Sequence, residues 1–114
     1  MKKVFYLSTC STCKRILSEV SLPNDIEKRD IKNHPITQEE WTELKTKAGS
    51  YLALFSKKAR NYQSYKHLEL TESLMETLLS SDYTFLKRPV VVYEDFLSIG
   101  NEANSIDLLK KKFS

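Results

Sequence analysis

The sequence predicts a single α/β domain, residues 1–114, with a four-stranded mixed sheet and helices packed on it. Three observations support this fold class. A strand, helix, strand pattern opens the chain, two β-prone segments and a helix close it, and helical periodicity fills the stretch between them. The predicted order is therefore βαβ, a helical insertion between strands 2 and 3, and then ββα.

The opening unit is predicted from hydrophobic patterning. Residues 4–7 form a compact apolar run, which is typical of a buried central strand. A helix follows over about residues 11–20, with Ile16 and Leu17 on one apolar stripe. Residues 25–31 alternate weakly and predict a second strand nearer the sheet edge. This spacing favours a right-handed parallel crossover.

The middle of the chain carries helix signals. Residues 37–40 (TQEE) have the form of a capping box, so a helix is predicted from Thr37 to a C-terminal cap at Gly49. Thr71 is predicted to cap another helix that runs to about Ser80. Residues 50–68 show a mixed pattern that we interpret as short helices and a loop.

The C-terminal part of the sequence predicts a β-hairpin followed by a helix. Residues 90–93 are strongly β-prone, and residues 96–99 are predicted to return beside them across a two-residue turn. Asn101 is predicted to cap the last helix, with Ile106, Leu109 and Phe113 facing inward.

Both cysteines of the chain lie between the first strand and the first helix, as a Cys-x-x-Cys motif. At a helix start, unpaired N–H groups and the helix dipole favour a thiolate, which makes Cys10 the predicted nucleophile. Cys13 lies one turn later on the same face, so it can resolve a mixed disulfide formed at Cys10. Lys14 and Arg15 add positive charge nearby.

Two other interpretations of this motif, a zinc site and a structural disulfide, fit the sequence less well. A zinc site needs two more ligands, and His34 and His67 are far apart and lack finger spacing. A structural disulfide between Cys10 and Cys13 would close too small a loop to constrain the unfolded chain much. A redox motif in a βαβ context fits the sequence best.

Composition narrows the function classes. The chain is 29% charged and 40% hydrophobic with a net charge of +3, which is ordinary for a globular protein. Basic and acidic residues are interleaved, so no direct nucleic-acid binding is expected. No stretch has the length of a membrane span, and no secretion signal is recognised. We expect a cytoplasmic protein with no membrane association, since a free thiol pair suits a reducing compartment.

Two separated motifs, CSTCK at 10–14 and LKRPVVV at 86–92, resemble those of the arsenate reductase/Spx family of thioredoxin-like proteins. The resemblance covers nearly the whole chain. It implies a thioredoxin-like fold in which Pro89 is cis and close to Cys10, and in which Arg88 holds an oxyanion or stabilises the thiolate. Arg60 is implied as a second active-site arginine.

The resemblance also implies a set of substrate contacts and a reaction. Ser11, Thr12, Lys14 and Pro89 are expected to line the substrate site. The implied activity is a thiol-disulfide oxidoreductase acting on a small oxyanion or a disulfide, with no bound cofactor and with glutathione, glutaredoxin or thioredoxin as reductant. The structural alternative for Arg88 is a surface ion pair.

The sequence departs in two ways from the single-cysteine arsenate reductases that it resembles. Those enzymes carry serine at the position of Cys13, and they bring a third arginine from beyond the proline strand. No arginine follows Arg88 here, and bidentate arginines hold oxyanions far better than point charges do. The second hypothesis is a redox-sensing transcriptional regulator resembling Spx, which shares the Cys-x-x-Cys form and binds the RNA polymerase α subunit. Gly49 lies near the position of the glycine at the Spx polymerase contact, although its place after a helix also predicts a C-terminal cap.

Overall fold

The computed structural model describes all residues, 1–114. Its strands and helices are β1 (Lys2–Tyr6), α1 (Ser11–Ser18), β2 (Glu27–Asp30), α2 (Gln38–Ala48), α3 (Glu72–Ser81), β3 (Val90–Tyr93), β4 (Phe96–Ile99) and α4 (Ala103–Lys112). The chain divides into two units, which we call the sheet unit (residues 1–34 and 88–114) and the insertion unit (residues 35–87).

The four strands form one mixed sheet in the order β2-β1-β3-β4. β1 pairs in parallel with β2, with Lys3 opposite Glu27, and antiparallel with β3, with Val4 opposite Val91. β3 and β4 form an antiparallel hairpin. These pairings confirm the predicted α/β class, the parallel first crossover and the edge position of the second strand.

The sheet unit has a hydrophobic core between the sheet and its two helices. Its buried members are Val4, Ile16, Ile26, Val91, Leu109 and Phe113. The end of α4 is fixed beside α1, because the Ser21 N–H donates to the Phe113 carbonyl at 2.7 Å and Lys110 pairs with Glu19 at 3.2 Å. The inward face predicted for the last helix is therefore confirmed at Leu109 and Phe113.

The predicted cap of α4 is wrong by one residue. The helix begins after Glu102, whose extended backbone (φ −73°, ψ 159°) marks the N-cap and whose side chain makes no capping bond. Gly100 follows β4 with φ +84°, a left-handed conformation that glycine adopts readily, and Asn101 lies in the bend that results. Asn101 is consequently placed too early to cap the helix.

The insertion unit contains α2 and α3, and local sequence signals set the ends of both. The Glu40 N–H donates to Thr37 Oγ1 at 3.2 Å while the Thr37 N–H donates to Glu40 Oε1 at 2.9 Å, which confirms the capping box. Gly49 caps α2 in the left-handed conformation with φ +91°. Thr71 Oγ1 accepts from the Leu74 N–H at 3.1 Å at the start of α3.

Replacing Thr37 with alanine is expected to lower the free energy of unfolding by about 1 kcal/mol, since the N3 amide of α2 loses its acceptor. Urea denaturation followed by circular dichroism measures this. Thr42→Ala is the matched control, because the Thr42 hydroxyl only donates back to the Gln38 carbonyl within the helix. Equal losses in both variants would contradict the capping role.

Between α2 and α3, where short helices and a loop are predicted, aromatic packing holds the chain. Residues 50–68 contain a single short 3-10 helix, Arg60–Ser64, with turns around it. Phe55 stacks on Phe85 with ring centroids 5.1 Å apart, and Tyr62 and Tyr65 meet these rings edge-on. The helix-like spacing of the two tyrosines thus reflects packing on one aromatic cluster.

Candidate active site

The turn after β1 places Cys10 at the start of α1. The Cys10 N–H donates to the Leu7 carbonyl at 2.9 Å, and the Cys10 carbonyl accepts from the Lys14 N–H at 3.2 Å as the first bond of the helix. Cys10 is the N-cap residue, with an extended backbone (φ −94°, ψ 108°). The sequence prediction of a cysteine at a strand-to-helix junction is therefore confirmed.

Both cysteines are free thiols, with Cys10 partly exposed and Cys13 fully buried. Partial burial alone would raise the pKa of Cys10. The opposing effects are larger in sum: the Cys13 backbone N–H and side chain, the positive charge of Arg88 and the Thr12 N–H together lower the pKa of Cys10 below its ordinary value. Cys10 is thus the thiol that ionises first.

The neighbouring thiol behaves in the opposite way. Burial raises the pKa of Cys13 to about 11, and the hydrogen bond to Cys10 and the charge on Cys10 act in the same direction. A backbone hydrogen bond from Leu7 and the charge of Arg88 oppose this rise only in part. At neutral pH Cys13 is therefore a thiol that can donate to the Cys10 thiolate.

Arg88 and Pro89 enter β3 through a cis peptide bond, as the resemblance implies. Pro89 is buried, and its carbonyl accepts from the Gly100 N–H at 2.9 Å. Arg88 is half-buried, with its Nε atom enclosed, and its charge acts on both thiols. Arg88 therefore favours ionisation of both cysteines through its charge.

The other predicted site residues are distributed as follows. Thr12 is half-buried and its N–H favours the Cys10 thiolate, whereas Ser11 and Lys14 have exposed side chains in the first turn of α1. Arg60 is exposed at the start of the 3-10 helix of the insertion unit. Its assignment to the active site stays a prediction.

The sequence reasoning missed one residue next to this site, Asp30 at the end of β2. Its carboxylate accepts from the Ser8 N–H at 3.2 Å and from the Ser8 hydroxyl at 2.6 Å, two residues before Cys10. The sequence contains a signal for this contact, because parallel strands place their carboxyl ends at the same edge of a sheet and Asp30 ends the second strand. A polar side chain closing the second strand could therefore have been expected to meet the turn after the first.

Two further structural findings bear on function. Nowhere do three or more His, Cys, Asp or Glu side chains come together in an arrangement that could hold a metal ion. None of the helices has the length and apolar character needed to cross a membrane.

The sheet order, the Cys-x-x-Cys turn and the cis proline define a thioredoxin-like protein with a paired-cysteine site. The sequence profile of the ArsC family matches residues 5–108, and the chain belongs to this family. No protein of curated function matches the sequence significantly.

Solved structures agree with this membership. An ArsC family related protein from Bacteroides fragilis is 25% identical with a TM-score of 0.70, over 96% of this chain and 100% of that one. A Staphylococcus aureus protein solved by NMR is 27% identical with a TM-score of 0.67, over 92% and 94% of the two chains. An arsenate reductase related protein from Brucella melitensis, at 14% identity and a TM-score of 0.65 over 94% and 92%, shares the fold.

Proposed function

We propose that this protein is a thiol-dependent reductase in which Cys10 is the nucleophile and Cys13 the resolving thiol. The observation that carries the proposal is the placement of the two thiols: Cys10 is partly exposed at the N-cap of α1, and Cys13 is buried one turn further along the helix. Their pKa values are displaced in opposite directions, lowered at Cys10 and raised to about 11 at Cys13. The lowered pKa favours the thiolate at Cys10, and the raised pKa keeps Cys13 protonated until it is needed. Membership in the ArsC family supports this class of chemistry.

With a disulfide substrate, the reaction has two exchange steps. The Cys10 thiolate attacks one substrate sulfur, forming a Cys10 mixed disulfide and releasing the other sulfur as a thiolate. Cys13 then loses its proton and attacks Cys10 Sγ, which forms the Cys10–Cys13 disulfide and releases the second thiolate. Two electrons pass from the protein dithiol to the substrate disulfide.

With arsenate, Cys10 would displace an oxygen as water and form a sulfur–arsenic bond. Attack by Cys13 on Cys10 Sγ then leaves the electron pair of that bond on arsenic, so that arsenite departs and the protein becomes oxidised. Arg88 would hold the negative charge, with Arg60 as the second arginine that the family resemblance implies. Ser11, Thr12, Lys14 and Pro89 would complete the substrate contacts.

The oxidised protein needs an external reductant to complete the cycle. Thioredoxin, glutaredoxin or glutathione would reduce the Cys10–Cys13 disulfide, and no bound cofactor takes part in any step. A reducing compartment such as the cytoplasm would supply these thiols and keep the resting protein in the dithiol form.

The test is a recycling assay with the reduced full-length protein. A small disulfide and arsenate are offered in parallel, each with a thioredoxin or a glutaredoxin system, and NADPH consumption is followed. We expect turnover of at least one substrate, its loss in Cys10→Ser, and normal turnover in the exposed control Ser21→Ala. Turnover that survives in Cys10→Ser would refute the assigned nucleophile.

A redox-sensing regulator that binds the RNA polymerase α subunit is the alternative. The sequence feature that suggests it is Gly49, whose left-handed conformation is accounted for by its role as the C-terminal cap of α2. A pull-down with the purified α subunit tests this function directly. Redox-dependent capture without turnover of either substrate would favour the regulator over the reductase.

A further inference from the structure

The Asp30 carboxylate holds the turn that leads from β1 to Cys10. Ser8 donates to it twice, from its N–H at 3.2 Å and from its hydroxyl at 2.6 Å. The Lys32 N–H at 3.3 Å and the Asn33 side-chain amide at 2.9 Å are its other donors. The Ser8 hydroxyl is the main reason that the pKa of Asp30 lies below its ordinary value.

Ser8, the residue that Asp30 anchors, lies inside the short turn that ends at Cys10. Asp30 is opposite Tyr6 in the parallel ladder, and the Ile31 N–H donates to the Tyr6 carbonyl at 3.0 Å, so β2 fixes the end of β1. The Leu7 carbonyl accepts from the Cys10 N–H at 2.9 Å, and Ser8 lies between these two constraints. Backbone hydrogen bonds therefore fix the residues on either side of Ser8, and the Asp30 carboxylate fixes Ser8 itself.

We propose that Asp30 is a positioning residue that acts through Ser8 to hold Cys10 in its reactive orientation at the start of α1. This inference rests on the proposed function only in taking Cys10 as the reactive thiol. The groups that favour the Cys10 thiolate are the Cys13 N–H and side chain, the charge of Arg88 and the Thr12 N–H, and their effect depends on where the sulfur lies. A loosened turn would reduce their effect on Cys10.

Losing the anchor and losing the negative charge of Asp30 should change the reactivity of Cys10 in opposite directions, so the positioning role can be measured. A carboxylate near a thiolate disfavours it, so if only charge mattered, removing Asp30 would speed the reaction of Cys10. If the anchor matters, Asp30→Ala slows it. Asp30→Asn removes the charge but keeps an oxygen that can accept from the Ser8 N–H, so it separates the two effects.

The experiment measures alkylation of Cys10 by iodoacetamide as a function of pH in the reduced full-length protein, with mass spectrometry to distinguish Cys10 from Cys13. For Asp30→Ala we expect alkylation at pH 7 to slow about threefold to tenfold and its pH midpoint to rise, since tenfold corresponds to one pKa unit. Asp30→Asn should stay close to wild type. Glu27→Ala is the matched control, because Glu27 is an exposed carboxylate on the same strand that pairs with Arg29.

Ser8→Ala is the second variant, since it removes the hydroxyl bond and keeps the backbone bond. It should raise the midpoint less than Asp30→Ala, and it decides the question if Asp30→Ala fails to fold. An unchanged midpoint in the variants that fold, even with a lower melting temperature, would reduce Asp30 to a structural role and overturn the proposal. Faster alkylation would overturn it in favour of charge.

The outcome for Asp30 is separable from the outcome for the reductase. A wild-type Cys10 of low pKa that turns over neither substrate, together with slowed alkylation in Asp30→Ala, would remove the reductase and support the anchor. Turnover in the wild type with an unchanged Asp30→Ala profile would do the reverse. An ordinary pKa for wild-type Cys10 would overturn both.

Discussion

Cys13→Ser is expected to reduce turnover at least about a hundredfold while leaving the first chemical step intact, because an intramolecular thiol acts at an effective concentration far above that of any external thiol. The Cys10 thiolate still attacks a disulfide substrate in this variant. Without the buried thiol one turn away, the mixed disulfide can be resolved only by a thiol from solution. The variant should therefore accumulate the Cys10 mixed disulfide.

Mass spectrometry after incubation with oxidised glutathione measures this accumulation as one glutathione bound per chain. Cys10→Ser is the control: its remaining thiol is fully buried and has a pKa of about 11 in the intact protein, so it should bind little glutathione. Normal turnover in Cys13→Ser would remove the resolving role. Glutathione on Cys13 in the wild type would reverse the two assignments.

The features of the fold and of the site that could be predicted from the sequence are those that depend on neighbouring residues in the chain. Cys10 caps α1 because a strand ends and a helix begins within a few residues of it, and this pattern is visible in the sequence. Thr37 and Gly49 set the ends of α2 for equally local reasons, a capping bond and a left-handed backbone. Such features need no knowledge of what lies across the fold.

The parts that could not be predicted depend on register or on a shift of a single residue. Asp30 meets Ser8 across 22 positions of sequence, and this contact follows from the pairing of β1 with β2 rather than from either segment alone. Asn101 is a residue type that favours helix caps, but α4 begins one residue later, after Glu102, because the chain first bends at Gly100. The assignment of Arg60 to the active site stays a prediction, because Arg60 lies in a segment that aromatic packing organises, where sequence position is a weak guide.

Arg88→Met is expected to lower turnover about a hundredfold, the usual effect of removing one group that stabilises developing negative charge. It should also raise the pKa of Cys10, because the positive charge of Arg88 is one of the effects that lowers it. The sign in a pH profile follows directly. Alkylation of Cys10 rises as pH increases through its pKa, so the variant should need a higher pH for the same rate.

Arg88→Lys separates the two contributions of this residue. Lysine keeps the charge, so the pH midpoint of Cys10 alkylation should stay closer to wild type than in Arg88→Met. It loses the planar fork that binds an oxyanion in two places, so arsenate turnover should fall more than turnover of a small disulfide. Arg29→Met is the matched control, since Arg29 pairs with Glu27 on the edge strand.

Equal losses for the two substrates in Arg88→Lys would mean that Arg88 acts on the thiolate alone. In that case the absence of any arginine after residue 88 would no longer count against a particular substrate, since the site would not use guanidinium groups to hold one. A loss confined to arsenate would instead identify Arg88 as the oxyanion contact. The departure from the three-arginine pattern would then predict weak arsenate binding as a property of this chain.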